Sequence, residues 1–443
     1  MTIANVAKSE PYLQRARHPG DRDALAAAIH SSDYIFLCFV LFTASAALFR
    51  FGSINTYLWY VIYVWTTVRV CLELPALFTA IIRNWVVFIW PVLALVSIVW
   101  SASPGVSLRG GLQLLMTTLI SIFIGSRFTI RQILTALCAA LSIGALASIA
   151  LLIIDSPDAF NNSGGFRGIF AHKNTLGLRM NILIAAAFVL FASTPKMRLL
   201  CGVAMGIATY VLILTESATS QILALITPGI IFGLYAVRRG AWPFALVGAA
   251  ITVIASVLLT GLLASGTDPV SYVLNSFGKD ATLTGRTWLW DIGIDEISKH
   301  PILGGGYQAF WSNSQSTEVL WIRHVLLETV NGFHNVGVEV WNDLGIPGIL
   351  SLIGVLTVYT TKSFFYYRTT SSTLGQFPMF FLIIVLISAT MNNSFFRQHE
   401  LVHVLICTFF AAMALNAPSK TPRAATTRRS WPVRSHCETP SVR

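Results

Sequence analysis

The sequence predicts an all-α polytopic membrane protein with about twelve transmembrane helices and one long, partly helical outward loop. Three observations carry that reading. Hydrophobic residues make up 55% of the 443, and mean hydropathy is +0.68. Apolar runs of the roughly 20 residues that a span needs recur from end to end. The period-two alternation of a membrane barrel is absent, which leaves helices as the structure that satisfies its backbone in lipid.

The elements follow in chain order. Segment 1–33 carries Lys8, Arg15, Arg17 and Arg22 and reads as a cytoplasmic N-terminal stretch. The first apolar run begins near Tyr34 without a small-residue cleavage pattern, so no signal peptide is expected. Nine helices are expected within 34–265, at approximately 34–49, 57–72, 84–101, 108–126, 132–154, 175–194, 198–215, 219–237 and 242–265. The run 74–82 is too short to cross and suits a re-entrant or interfacial piece. An outward loop at 155–174 interrupts the series.

The longest outward loop is 266–341. It mixes Trp288, Trp290, Trp311, Trp321, Tyr307 and Phe310 with charges, contains a helix-like stretch from Thr287 to Ile297, and breaks at Gly304-Gly305-Gly306. Loops of such length are functional or disordered, and the aromatic content argues for function. Spans at 342–361, 377–393 and 400–416 complete the 342–416 block. Residues 417–443 form a basic, disordered cytoplasmic tail.

Charge placement orients the chain. With the N-terminus inside, every internal inward connection holds a basic pair: Arg69 and Arg83, Arg127 and Arg131, Lys196 and Arg198, Arg238 and Arg239, Lys362 and Arg368. The net charge of +11 therefore reflects orientation and not a nucleic-acid partner, which is not expected. Five cysteines lie in apolar runs, Cys437 lies in the tail, and no C-x-x-C occurs, so neither a disulfide nor a thiolate metal site is expected.

Charged residues are only 11% of the chain, yet two basic segments fall on the same outward face. The first holds Arg167, His172, Lys173 and Asn174, with glycines permitting a tight backbone and Asn174 placed to cap the next helix. Arg179 lies seven residues beyond His172, on the same helical face and more than a turn into the apolar run. An intramembrane Arg normally faces protein or water and marks a substrate path; the alternative is an interfacial loop with Arg179 snorkelling. The second segment holds Arg286 beside Trp288. Its planar fork suits a diphosphate, and its alternative is pairing with Asp280 or Asp291. His334 and Asn335 close that segment; a His there can accept or orient a sugar hydroxyl proton, or serve a structural role. His300 and His324 are weaker candidates of the same kind.

Other chemistries lack their residues. No H-E-x-x-H occurs, no outward D-x-D occurs, and the glycine run lacks a P-loop lysine. If a lipid diphosphate is released outside the cytoplasm, its charge must be met by a divalent metal or by cationic side chains. Arg167, Lys173, Arg286 and Arg179 are the cations available, so metal-free displacement is expected, with no cofactor.

These residues resemble the bacterial O-antigen ligase and Wzy-type polymerase superfamily, and within it most the ExoQ-like exopolysaccharide polymerases. Phe166-Arg167-Gly168-Ile169-Phe170-Ala171-His172-Lys173-Asn174-Thr175-Leu176-Gly177 is similar to that family's loop before a central span. Thr284-Gly285-Arg286, Trp290, and His300-Pro301-Ile302-Leu303-Gly304-Gly305-Gly306-Tyr307 resemble its second signature. His334-Asn335 and Asp343-Leu344-Gly345-Ile346-Pro347-Gly348 complete it. Many members have Pro where this chain has Lys173, which favours the ExoQ-like branch. The resemblance spans about 155–350 by motif and the remainder by topology.

The resemblance implies an inverting glycosyltransferase with undecaprenyl-diphosphate-linked glycan as donor and acceptor. It would polymerise repeat units at the periplasmic face of a bacterial inner membrane, with both termini cytoplasmic. Arg167 and Arg286 would hold the diphosphate and His334 would lie near the acceptor hydroxyl. Lys173, His172, Asn174, Arg179, Trp288 and Asn335 would bind substrate, with Trp288 and Trp311 stacking on sugars. A chain-length regulator or export complex fits as a partner beside the bilayer. The alternatives are a ligase with a lipid or protein acceptor and, from another class, a lipid-linked sugar transporter. A transporter would place ionisable residues near the bilayer midplane, where this sequence has almost none.

Overall fold

The computed structural model describes residues 19–47, 53–160, 165–217, 220–221, 223–224, 227, 229, 286–312, 316–326, 332–370, 372–389 and 395–415. Among them the chain is helical, and one isolated bridge joins Phe160 to Phe166. The helices are α1 (Pro19–Ala44), α2 (Ser53–Leu72), α3 (Leu74–Arg83), α4 (Ile89–Val96), α5 (Pro104–Arg127), α6 (Ile130–Ile153), α7 (Lys173–Ser193) and α8 (Arg198–Leu214). After the undescribed stretch come α9 (Arg286–Lys299), α10 (Ala309–Ser312), α11 (Thr317–Leu326), α12 (Val336–Thr369), α13 (Phe377–Ala389) and α14 (Leu401–Leu415).

Among the described residues, five helical stretches are long and apolar enough to cross a membrane: α5, α6, α7, Pro195–Leu214 and α12. The pair α2 and α3 makes a sixth if taken as one broken span. Shorter apolar helices run His30–Ala44, Trp85–Val99, Thr373–Ala389 and Leu401–Ala414. The protein is thus an integral membrane protein. Each expected span with described residues falls on a helix, whereas 219–237 and 242–265 lie almost wholly outside the described residues.

One expected span departs from a single continuous helix. The 84–101 span is broken into a 3-10 turn (Trp85–Phe88), α4, and a second 3-10 turn (Ser97–Val99). Pro91, the third residue of α4, has no N–H to donate and its ring crowds the Val87 carbonyl, so the α-helix starts just before it and does not run on from Trp85. The short run after α2 becomes α3, bent by 103° from α2, with Pro75 in its first turn.

A buried ion network secures that bend. Arg69 Nη2 lies 3.1 Å from Asp33 and 2.6 Å from Glu73. Arg127 Nε lies 2.9 Å from Asp33 and its guanidinium also pairs with Glu73. Two cations and two carboxylates close the group, as buried charges require. Arg69 and Arg127 are therefore neutralised inside the bundle, whereas Arg83 and Arg131 are exposed.

α14 is the centre of the bundle, its residues from Leu401 to Met413 all buried. An apolar helix covered all round belongs to a core. Its approach to α5 is close: a Cβ on Gly125 would lie 2.2 Å from the Thr408 carbonyl oxygen.

A backbone interlock joins the long loop to α12. Gly305 and Gly306 amides donate to Asn342 and Asp343 carbonyls at 2.8 and 3.0 Å, and Ile346 N donates to Ile302 O at 2.9 Å. Ala102 N reaches Gly305 O at 3.1 Å from the other side. Gly304, Gly306 and Gly345 have φ of +72°, +103° and +61°, a region that L side chains avoid. A Cβ on Gly345 would also meet Ile302 O at 2.2 Å.

Candidate functional site

The first basic segment folds against the end of α6. Arg167 and Gly168 amides both donate to Ala159 O, at 2.9 and 3.0 Å, and Ile169 N donates to Ser148 Oγ at 3.3 Å. Arg167 is half-buried, with long contacts of 3.4 Å to the Asp158 and Ala171 carbonyls. Lys173 opens α7 and its side chain runs over Gly165, where a Cβ would lie 2.8 Å from Nζ. His172 is the N-cap, exposed and without a side-chain cap bond. A helix start crowded with cations lacks its favoured negative charge and would gain from an anion.

Asn174 does not cap the helix as expected. It lies inside the first turn, and its Oδ1 accepts from Ser217 Oγ at 2.8 Å. The fold uses this amide to tie α7 to the exit of α8, as Asn181 does by donating to Ser220 O at 2.9 Å.

Arg179 is fully buried. Nη2 pairs with Glu400 Oε2 at 2.9 Å, Nε donates to Ser45 O at 3.3 Å, and Nη1 has no partner among the described residues. The snorkelling alternative fails, because this guanidinium turns inward to a carboxylate.

The second segment lies outside the described residues up to 285. α9 begins at Arg286, whose side chain is likewise outside the described set. Trp288 is half-buried with its ring 5.1 Å from exposed Trp321. Trp311, expected to stack on a sugar, is instead buried in a small aromatic core with Phe310 and Phe333. His300 and His324 are exposed.

His334 is half-buried and has φ +55°, uncommon for a residue with a side chain. Both neighbours are anchored. Phe333 N donates to Glu339 Oε2 at 2.9 Å and Phe333 O accepts from Trp290 Nε1 at 3.0 Å. Asn335 is the N-cap of α12, its Oδ1 accepting from Gly337 and Val338 amides at 2.9 and 3.3 Å. Capping therefore occupies the Asn335 oxygen that substrate binding would need. Beside Asn335 an apolar cavity of about 140 Å³ opens between α12 and α13, bordered by Gly337, Leu352, Leu386 and Phe395.

Sequence reasoning missed the segment from Phe395 to Glu400, which joins these regions. Arg397 pairs with Glu339. Gln398 meets Gln308 at 2.8 Å and Gln113 at 3.4 Å. His399 stacks on Trp59 at 4.2 Å and bonds the Tyr63 hydroxyl, and Glu400 holds Arg179. Tyr307 Oη donates to Phe396 O at 2.8 Å. Burial, then the adjacent Asp343 carboxylate, raises the Tyr307 hydroxyl above its ordinary pKa, so it stays a donor. The available signal was a short polar run between two apolar ones, matched by Glu339 and Asp343 at the start of another. Among the described residues no three His, Cys, Asp or Glu side chains converge.

Burial, with Arg109 nearby, depresses the His399 pKa from its ordinary 6.5 to about 3. A depressed base binds fewer protons folded than unfolded, so it contributes stability above pH 6.5 that is lost as pH falls toward 3. In melting curves across that window, wild type is expected to lose stability more steeply than His399→Gln. Parallel curves would contradict this.

Residues 203–353 match the O-antigen ligase family. The chain is also 31% identical over 278 residues to "Exopolysaccharide production protein ExoQ" of Rhizobium meliloti (strain 1021). That match spans 61% of this chain and 63% of the relative, less than two thirds of the relative's length.

Proposed function

We propose, from the O-antigen ligase region carried by residues 203–353 and the likeness to an exopolysaccharide production protein, that this membrane protein joins lipid-linked glycans. The reaction is an inverting, metal-independent transfer that polymerises undecaprenyl-diphosphate-linked repeat units at the outer face of the inner membrane. The acceptor hydroxyl, with its proton taken by His334, attacks the anomeric carbon while the bond to the diphosphate oxygen breaks. Arg286 and Arg167, with Lys173, meet the charge of the departing diphosphate, whereas Arg179, buried against Glu400, holds the bundle together.

The single observation that carries this reading is the left-handed, doubly anchored turn at His334. Such backbone strain clusters at active sites, where surrounding structure must over-determine it. The apolar cavity beside Asn335, at the top of two membrane helices, suits a lipid chain whose head lies at that turn. His172 and Trp288 complete the polar and aromatic surface for the glycan. The span count of about twelve and a cytoplasmic location of both termini accompany this reading.

The test is reconstitution with a lipid-diphosphate-linked repeat unit in EDTA, resolving glycan length on a gel. A ladder that is lost in Arg286→Ala supports polymerisation without a metal. A single transferred unit that requires a separate acceptor would make the protein a ligase. Lipid movement between leaflets without transfer would overturn the enzyme reading.

A further inference from the structure

We infer that Glu339 and Arg397 form a positioning pair that fixes the turn carrying His334. The inference rests on the functional reading of His334 but makes a separate claim about what holds it.

Glu339 is buried at 6% exposure in the first turn of α12. Its two oxygens have different tasks. Oε2 accepts the amide of Phe333, the residue immediately before His334, and Oε1 pairs with the Arg397 guanidinium. Its own amide donates to Asn335 O at 2.9 Å, on the far side of His334. Glu339 therefore clasps the turn from both sides, by carboxylate and by backbone.

A lone carboxylate at such burial would be costly, and Arg397 supplies the compensating charge. Arg397 comes from a connection 58 residues further along, and Asp343 stands nearby with Oδ2 accepting from Gln308 N at 3.0 Å. The aromatic core under Phe333 adds to the hold, with Trp311 and Phe310 at 4.8 and 5.3 Å. A non-glycine residue at φ +55° relaxes when its anchors are removed. Loss of the carboxylate thus lets the imidazole drift, without removing any group from the reacting atoms.

The test uses the full chain in lipid nanodiscs, with hydrogen exchange of the 332–336 peptide and transfer kinetics measured together. Glu339→Leu should raise exchange at the Phe333 amide about tenfold or more, since a bond to a charged acceptor is lost. It should lower kcat by up to about 10²-fold, the cost of a small misplacement, with donor KM little changed. The charge swap Glu339→Arg with Arg397→Glu keeps an ion pair but offers Phe333 no acceptor. It should melt near wild type while exchange stays fast and kcat stays low; it also carries the test if Glu339→Leu does not fold. Recovery of kcat in the swap would show the pair to be a charge staple only. Unchanged exchange in both variants would equally overturn the inference. If His334→Ala transfers glycan as well as wild type, the functional reading fails, while exchange still decides whether the pair holds the turn.

Discussion

His334→Gly is expected to lower kcat by about 10²–10⁴-fold, the range for loss of a general base, while leaving the melting temperature equal to or above wild type. The two effects come from one site. The substitution deletes the imidazole but places at φ +55° the residue that adopts this conformation without a steric penalty. The anchors at Phe333 and Asn335 are backbone and cap bonds that glycine leaves in place. Alanine at the same position should lose as much activity without the gain in stability. Kinetics and melting curves on the two variants check both halves. Residual activity within tenfold of wild type would remove His334 from the chemistry.

Glu400→Leu should destabilise the protein by about 3–5 kcal/mol, because it leaves a buried guanidinium without its counter-charge. The partner substitution Arg179→Met should cost less. Arg179 is fully buried and cannot shed its proton, whereas the Glu400 side chain is 30% exposed and keeps access to water. The double substitution should return stability to wild type or above, since an apolar pair of similar volume replaces a desolvated ion pair. Chemical denaturation of the four proteins tests the asymmetry. Equal losses from the two single changes would mean that Glu400 is as desolvated as Arg179.

The spans were legible because lipid imposes a length and an apolar composition that sequence displays directly. The expected 108–126 falls within α5, 132–154 matches α6 but for its last residue, and the helix-like stretch after Arg286 became α9. The glycine motifs were visible too, but not their relation. Gly304-Gly305-Gly306 and Gly345 are faces of one backbone interlock, and nothing in their spacing indicates pairing. The site was half legible. Arg179 and His334 stood out by type and place, while their partners did not. Glu400 lies 221 residues from Arg179, so only packing brings them together. Asn174 misled because a short polar residue before a helix suggests a cap, and the helix begins two residues sooner than that role requires.

The segment from Arg397 to Glu400 also sets an order of events. The chain leaves the ribosome from its N-terminus, so Arg179 and Glu339 are in place long before the residues that neutralise them are made. Until α14 arrives, a guanidinium and a carboxylate wait in the membrane with no counter-charge from the last connection. A nascent chain halted anywhere before Arg397 would hold most of its helices and an unfinished site. The connection from Arg397 to Glu400 would thus be the piece that closes both ion pairs, and a chain halted before it would leave the turn at His334 unsecured.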